Sequence, residues 1–147
     1  MATTRRRARE WVIQMLSAAD LNPPENAEAL LASFWEQLKT LDEEDGGDSQ
    51  SLARGRLKAF AEERVVGVLG HLDEIDRRLA SLLTDWDVDR LGTVERAVLR
   101  LGVWEMVFSD VPKPVVINEA LDLANWFSTP KSRALVNGVL DRLAKNL

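Results

Sequence analysis

Two proline-marked joints govern what the last third of this chain can fold into. From Leu91 to Leu143 the sequence LGTVERAVLRLGVWEMVFSDVPKPVVINEALDLANWFSTPKSRALVNGVLDRL runs as three apolar-striped blocks. They are divided at Asp110-Val111-Pro112-Lys113-Pro114 and at Ser128-Thr129-Pro130. Proline lacks an amide donor and clashes with the preceding turn, so each joint ends one helix. Thr129 followed by Pro130 also has the form of an N-cap with proline at the first helical position, where a missing N–H costs nothing. Val94, Val98, Leu101, Trp104 and Phe108 form the first stripe. Ile117, Ala120, Leu121, Ala124 and Phe127 form the second, and Leu135, Val136, Val139, Leu140 and Leu143 the third.

The rest of the chain reads in the same period. Ala8, Val12, Met15, Leu16 and Ala19 fall on one helical stripe that stops before Asn22-Pro23-Pro24. A second helix starts near Pro24 and carries Ala27, Leu30, Leu31, Phe34, Trp35, Leu38 and Leu41, after which DEEDGGDSQ reads as an acidic loop. Ala61, Val65, Val68, Leu72, Ile75, Leu79 and Leu82 alternate spacings of four and three, a helical seam that Gly67 and Gly70 interrupt. Two helices meeting near Gly70-His71, or one with a kink, are expected there. No segment alternates as a strand would, so the expectation is an all-α fold of about seven helices.

With 147 residues the chain has the size of one domain, 1–147, with room for two helical subdomains at roughly 1–84 and 85–147. No apolar run approaches the roughly 18 residues of a membrane span, and no signal-peptide pattern is present, so a soluble cytoplasmic protein is expected. The absence of cysteine removes disulfides, thiolate metal sites and thiol nucleophiles together, and the single His71 cannot assemble a multi-histidine site. No cofactor, metal or catalytic constellation is expected.

The net charge of −5 argues against a generally basic nucleic-acid coat, yet the charge is segregated. Arg5, Arg6, Arg7 and Arg9 precede the first acid, whereas Asp42, Glu43, Glu44, Asp45 and Asp48 gather in one stretch. Four cations at the positive end of a helix macrodipole are each unfavourable by roughly 0.3–1 kcal/mol when exposed. Stability does not ask for them, and guanidinium groups on the face of Glu10, Gln14 and Ser17 are suited to forking onto phosphates. The acidic stretch lacks the spaced ligands of a calcium loop and reads as a solvated linker. Of the five tryptophans, Trp11 beside the arginines and Trp86 in a connection raise the question of base stacking; core packing is expected for most of the others. Asp73/Asp76 and Asp85/Asp87 read as caps and surface ion pairs. Asn118-Glu119 and Asn137-Gly138 sit in helix interiors that do not favour them, which implies buried hydrogen bonds or close helix packing.

TRRRARE followed by an apolar helix with Gln14, then VERAVLRLGVWEM, VPKPVVINEALDLANWFS and ALVNGVLDRLA, stand in the order and spacing of the NusB family of transcription antitermination factors. The chain resembles that family over effectively its whole length, with 21–85 matching in helical pattern alone and the acidic loop resembling a variable insertion. The resemblance implies two packed helical bundles and a non-enzymatic role in bacterial transcription. It further implies pairing with NusE, which is also a small-subunit ribosomal protein. The pair would bind the single-stranded boxA element of nascent RNA and load an antitermination complex onto RNA polymerase, chiefly at ribosomal RNA operons.

By the same resemblance Arg5, Arg6, Arg7 and Arg9, with Gln14, map to the RNA-binding terminus, and Glu95 maps to the region facing NusE and RNA. Ser17 stands where many members have tyrosine and Leu135 where many have phenylalanine, so both mark the partner-facing surface, with aromatic faces removed. A homodimer of the free protein is compatible with the pattern. Two other readings stay open: a helical protein–protein adaptor whose arginines serve solubility, and a stand-alone relative of the helical domain that precedes some ribosomal RNA cytosine methyltransferases.

Overall fold

The structure, a computed structural model, describes residues 4–42, 48–83, 87–125 and 129–147, with side chains from 39 to 53 left aside. Every helix among them is one the apolar period requires. They are α1 (Arg5–Leu21), α2 (Ala27–Asp42), α3 (Asp48–Gly70), α4 (Leu72–Leu82), α5 (Thr93–Phe108), α6 (Lys113–Ala124) and α7 (Pro130–Asn146), with a single 3-10 turn at Val88–Arg90. The all-α expectation of about seven helices holds. Glu43, Glu44 and Asp45 of the acidic stretch, Asp85, Trp86, Trp126 and Phe127 lie outside the described residues.

Local chemistry sets the helix ends. Thr4 Oγ1 accepts from the Arg7 N–H (3.3 Å) and opens α1, which ends where the Asn22 N–H reaches Ala18 O before Pro23-Pro24. Asn26 Oδ1 accepts from the Ala29 N–H at 2.8 Å, so α2 starts at Ala27 and not near Pro24: an amide cap outweighs the proline signal. α3 starts at Asp48, so Asp48, Ser49 and Gln50, expected in the acidic loop, are helical. An acid at a helix N-terminus is favoured by the macrodipole. His71 alone separates α3 from α4, at the predicted junction. Thr129 Oγ1 accepts from the Ser132 N–H (3.3 Å), the cap expected for α7.

By compactness the chain divides into residues 1–66 and 67–147. In the first unit α1 packs on α2, with Trp11 and Trp35 meeting edge to face at 5.5 Å and Phe34 against Trp35 at 5.1 Å. Ala8, Val12, Met15, Leu16 and Ala19 are buried as their stripe predicts, and so are Arg9, Trp11 and Ile13, which widen it.

In the second unit α5 is the hub. Every residue from Ala97 to Met106 except Arg100 is buried, and α4, α6 and α7 all pack on it. A helix enclosed this way must be apolar nearly all round, as LGVW is. Arg100 leaves the hub through a bidentate pair with Asp76 of α4, Nε to Oδ1 and Nη2 to Oδ2 both at 2.9 Å. Asp76 is therefore an inter-helix tie. α5 and α7 run parallel, since Leu91 and Glu95 lie beside Lys131 and Leu135 while Gly102 faces Leu140, and Lys113 at the start of α6 donates to Ala144 O at the end of α7, so α6 runs antiparallel to both. A Cβ on Gly102 would come within 3.0 Å of the Leu140 methyls, which shows how closely α7 approaches.

Three details depart from expectation. Phe108 is 36% exposed rather than core, and stacks on His71 (centroids 4.3 Å apart), whose Nδ1 donates to Gly67 O at 2.9 Å. Asn118 and Asn137 are exposed, and a Cβ on Gly138 would meet nothing within 4 Å. Close packing therefore does not explain Gly138. At Gly67, by contrast, a Cβ would overlap the buried Trp104 indole. Gly138→Ala is expected to raise stability by about 0.5–1 kcal/mol, the helix-propensity difference. Gly67→Ala is expected to lower it by about 1–3 kcal/mol through overpacking. Urea denaturation of the two variants, compared by midpoint at equal slope, checks both signs.

Candidate nucleic-acid interface

The first turn of α1 contains no acid, and Arg5, Arg6 and Arg7 occupy it, all exposed. Their guanidinium groups therefore stand at the positive end of the helix with only local compensation. Arg7 Nη1 donates to Glu10 Oε2 at 3.1 Å, one turn on. Gln14 is exposed one turn further along the helix.

Arg9 is placed differently from the other three. It is 4% exposed, and its guanidinium lies over the Phe60 ring of α3, 5.1 Å from the centroid. Arg64, 3% exposed, lies over the same ring at 3.5 Å, donates to Phe60 O at 3.4 Å and pairs with Glu63 at 3.2 Å. Arg5 is the third cation over the ring, at 5.3 Å. Cation–π contacts contribute about 0.5–1 kcal/mol when exposed and about 2 when desolvated, so the buried members hold this group together. Arg9 belongs to the scaffold beneath the arginine cluster, while Arg5, Arg6 and Arg7 present its charge. Periodicity alone could not show this, because it depends on an aromatic residue about fifty positions away.

Trp11 offers no stacking face. It is buried, with its ring against Trp35, over which Lys58 Nζ lies at 5.4 Å. Ser17 is half-buried, and its Oγ has no hydrogen-bond partner among the described residues.

The second unit brings Glu95 and Leu135 together. They line one cleft of about 120 Å³ with Arg90, Leu91, Lys131 and Ser132. The parallel packing of α5 and α7 is the cause, since it sets their first turns side by side. Glu95 has a structural role as well. Its carboxylate lies over its own helix start, where a Cβ on Gly92 would be 2.9 Å from Oε1, and an acid there is favoured by the dipole. Sequence reasoning missed Arg90 and Lys131. The signal for Lys131 was available: like the α1 arginines it is a cation in a helix's first turn, with no acid beside it in that turn.

An all-helical chain with dipole-opposed cations at a helix start and a small mixed-charge cleft defines a binding protein. The model of the NusB family matches residues 6–145, and the chain belongs to that family. It is 40% identical over 144 residues to the transcription antitermination protein NusB of a Nitratiruptor species, covering 98% of this chain and 94% of that protein. The structure is similar to T. maritima NusB, with TM-score 0.78 and 33% identity, covering 99% of this chain and 93% of that one. A chain in the crystal structure of antitermination factors NusB and NusE in complex with double-stranded RNA matches with TM-score 0.75 and 31% identity, over 99% of this chain and 100% of that one.

The different placements of the arginines have a measurable consequence. Arg9→Ala is expected to destabilise the chain by about 1–3 kcal/mol, through lost packing as much as lost charge. Arg6→Ala, at an exposed position, is expected to change stability by less than about 0.5 kcal/mol. Thermal unfolding followed by far-UV circular dichroism separates the two.

Proposed function

We propose that this chain is an RNA-binding transcription antitermination factor, a non-catalytic protein of the bacterial cytoplasm. It pairs with NusE and binds boxA-type single-stranded RNA on nascent ribosomal RNA transcripts. The single observation that carries the RNA reading is the row Arg5-Arg6-Arg7, exposed in the first turn of α1 against the macrodipole. Phosphate oxygens complement both the guanidinium forks and the free N–H groups of a helix start. Gln14, exposed on the same helix, is suited to hydrogen bonding with unpaired base edges. Among the described residues no helix is long and apolar enough to cross a membrane.

NusE engages the Glu95–Leu135 cleft of the second unit and Ser17 of the first, and the complex joins the antitermination assembly on RNA polymerase. An apolar Leu135 beside Glu95 and Lys131 gives a partner a small hydrophobic anchor within a charged rim. The whole of 1–147 acts as one RNA-binding domain of two helical subdomains. A helical adaptor without RNA is the competing reading, and the arginine placement disfavours it because solubility does not require cations at a helix N-terminus.

Fluorescence anisotropy of a labelled boxA-like strand and a scrambled control, with and without NusE, tests the proposal across a salt series. With three phosphate-facing arginines and Arg9 in the scaffold, the logarithmic salt slope is expected near −2, at about −0.7 per contact on a single strand. NusE is expected to tighten binding to the boxA-like strand selectively, and Leu135→Glu to remove that gain while leaving the slope of the free protein unchanged. No binding to either strand, with or without NusE, would leave the adaptor reading.

A further inference from the structure

We propose that Phe60 is a positioning residue for RNA binding: its ring holds the Arg5 guanidinium over α3 in the orientation that meets the RNA backbone. The inference rests on the RNA reading above and deepens it. Phe60 is half-buried, and three guanidinium carbons lie over its ring, those of Arg64 at 3.5 Å, Arg9 at 5.1 Å and Arg5 at 5.3 Å. Two of these cations are buried, and Arg64 is also tied to the Phe60 carbonyl and to Glu63. The ring is thereby fixed from the scaffold side. Arg5 alone among the three is exposed.

A guanidinium laid on an aromatic face uses its charge and its flat surface for that contact, while its five N–H groups point outward in the plane. A contact over the ring at this distance thus restrains Arg5 without consuming the donors a phosphate needs. It also removes rotamer freedom from a long side chain before RNA arrives, which lowers the entropy lost on binding. Neighbouring positive charge around the same ring strengthens the local field that an incoming phosphate meets. Nothing comparable restrains a terminal arginine through α1 itself, because the first helical residue has no preceding turn to pack against.

The test compares Phe60→Leu, which keeps an apolar side chain and removes the π face, with Phe60→Tyr, which keeps both ring and face. Each is measured in the full chain by anisotropy on the boxA-like strand over a salt series, with circular dichroism to confirm an unchanged fold. Phe60→Leu is expected to weaken binding several-fold and flatten the salt slope by about 0.7, the value of one single-strand phosphate contact. Phe60→Tyr is expected to retain both affinity and slope. Arg5→Ala should flatten the slope by the same amount, and adding Phe60→Leu to it should flatten it no further.

A packing role alone would lower the melting temperature without moving the slope. The exposed Arg5→Ala variant keeps the coupling measurable if Phe60→Leu proves poorly folded, because Phe60→Tyr in the Arg5→Ala background then supplies the folded comparison. A slope unchanged in Phe60→Leu, while Arg6→Ala/Arg7→Ala flattens it, overturns the role of Phe60 and leaves the RNA reading standing. A wild-type chain without any salt-dependent RNA binding overturns both.

Discussion

The enclosure of α5 is the constraint on which the second unit depends. A helix covered by three others cannot be amphipathic, and its charged residues must either reach an edge or find partners. Arg100 does both, leaving the hub for its two-point tie to Asp76, and Ser109 meets the last turn by donating to Glu105 O. Glu105 stays 2% exposed and is held by partners within the fold. Replacing one member of such a pair by an apolar residue leaves the other uncompensated, so these charges restrict how α4 and α5 can register as much as they stabilise them.

From that enclosure follows the geometry of the cleft. α5 and α7 lie parallel, and Gly102 lets Leu140 approach closely. Glu95 is seven residues before Gly102, and Leu135 five before Leu140. At about 1.5 Å per residue both therefore lie some 7–10 Å up their helices from the tight crossing. The first turns must adjoin, and with them two positive dipole ends that repel. Glu95 offsets this repulsion, whereas Arg90 and Lys131 add to it. The cleft is thus a place where stability is conceded, and its position follows from the tight crossing at Gly102 and the parallel run of the two helices rather than from the residues that line it.

Much of this was legible in the chain because the determinants are local. Thr129-Pro130, the break at Gly70-His71 and the seam Ala61, Val65, Val68, Leu72, Ile75, Leu79 and Leu82 report on periods and caps that a few residues decide, and the structure buries six of the seven seam positions, with Leu72, beside the break, half-buried. What escaped was every feature that depends on a partner distant in sequence. Arg9 and Trp11 belong to a helix that could be foreseen, yet their burial depends on Phe60 and Trp35, which no spacing rule connects to them. The same limit applies to Asn137-Gly138. A helix interior disfavours both residues, and the natural inference was a close contact within the fold; open space at Gly138 removes that cause and leaves the pair as a surface feature of α7.

The α1 terminus shows how a physical rule can locate function while misjudging its parts. The macrodipole argument treats four arginines as equal offenders against stability, and the structure divides them by geometry. Arg9 sits far enough into the helix to turn inward and join Arg64 on Phe60, gaining contacts that a positive charge near a helix start would otherwise lack. Arg5, Arg6 and Arg7 remain in the first turn, where the unfavourable term persists and where a bound polyanion, as proposed above, would relieve it. On the proposed function, part of the affinity for phosphate would be stored as local instability of the helix start, beside an aromatic ring that belongs to a different helix.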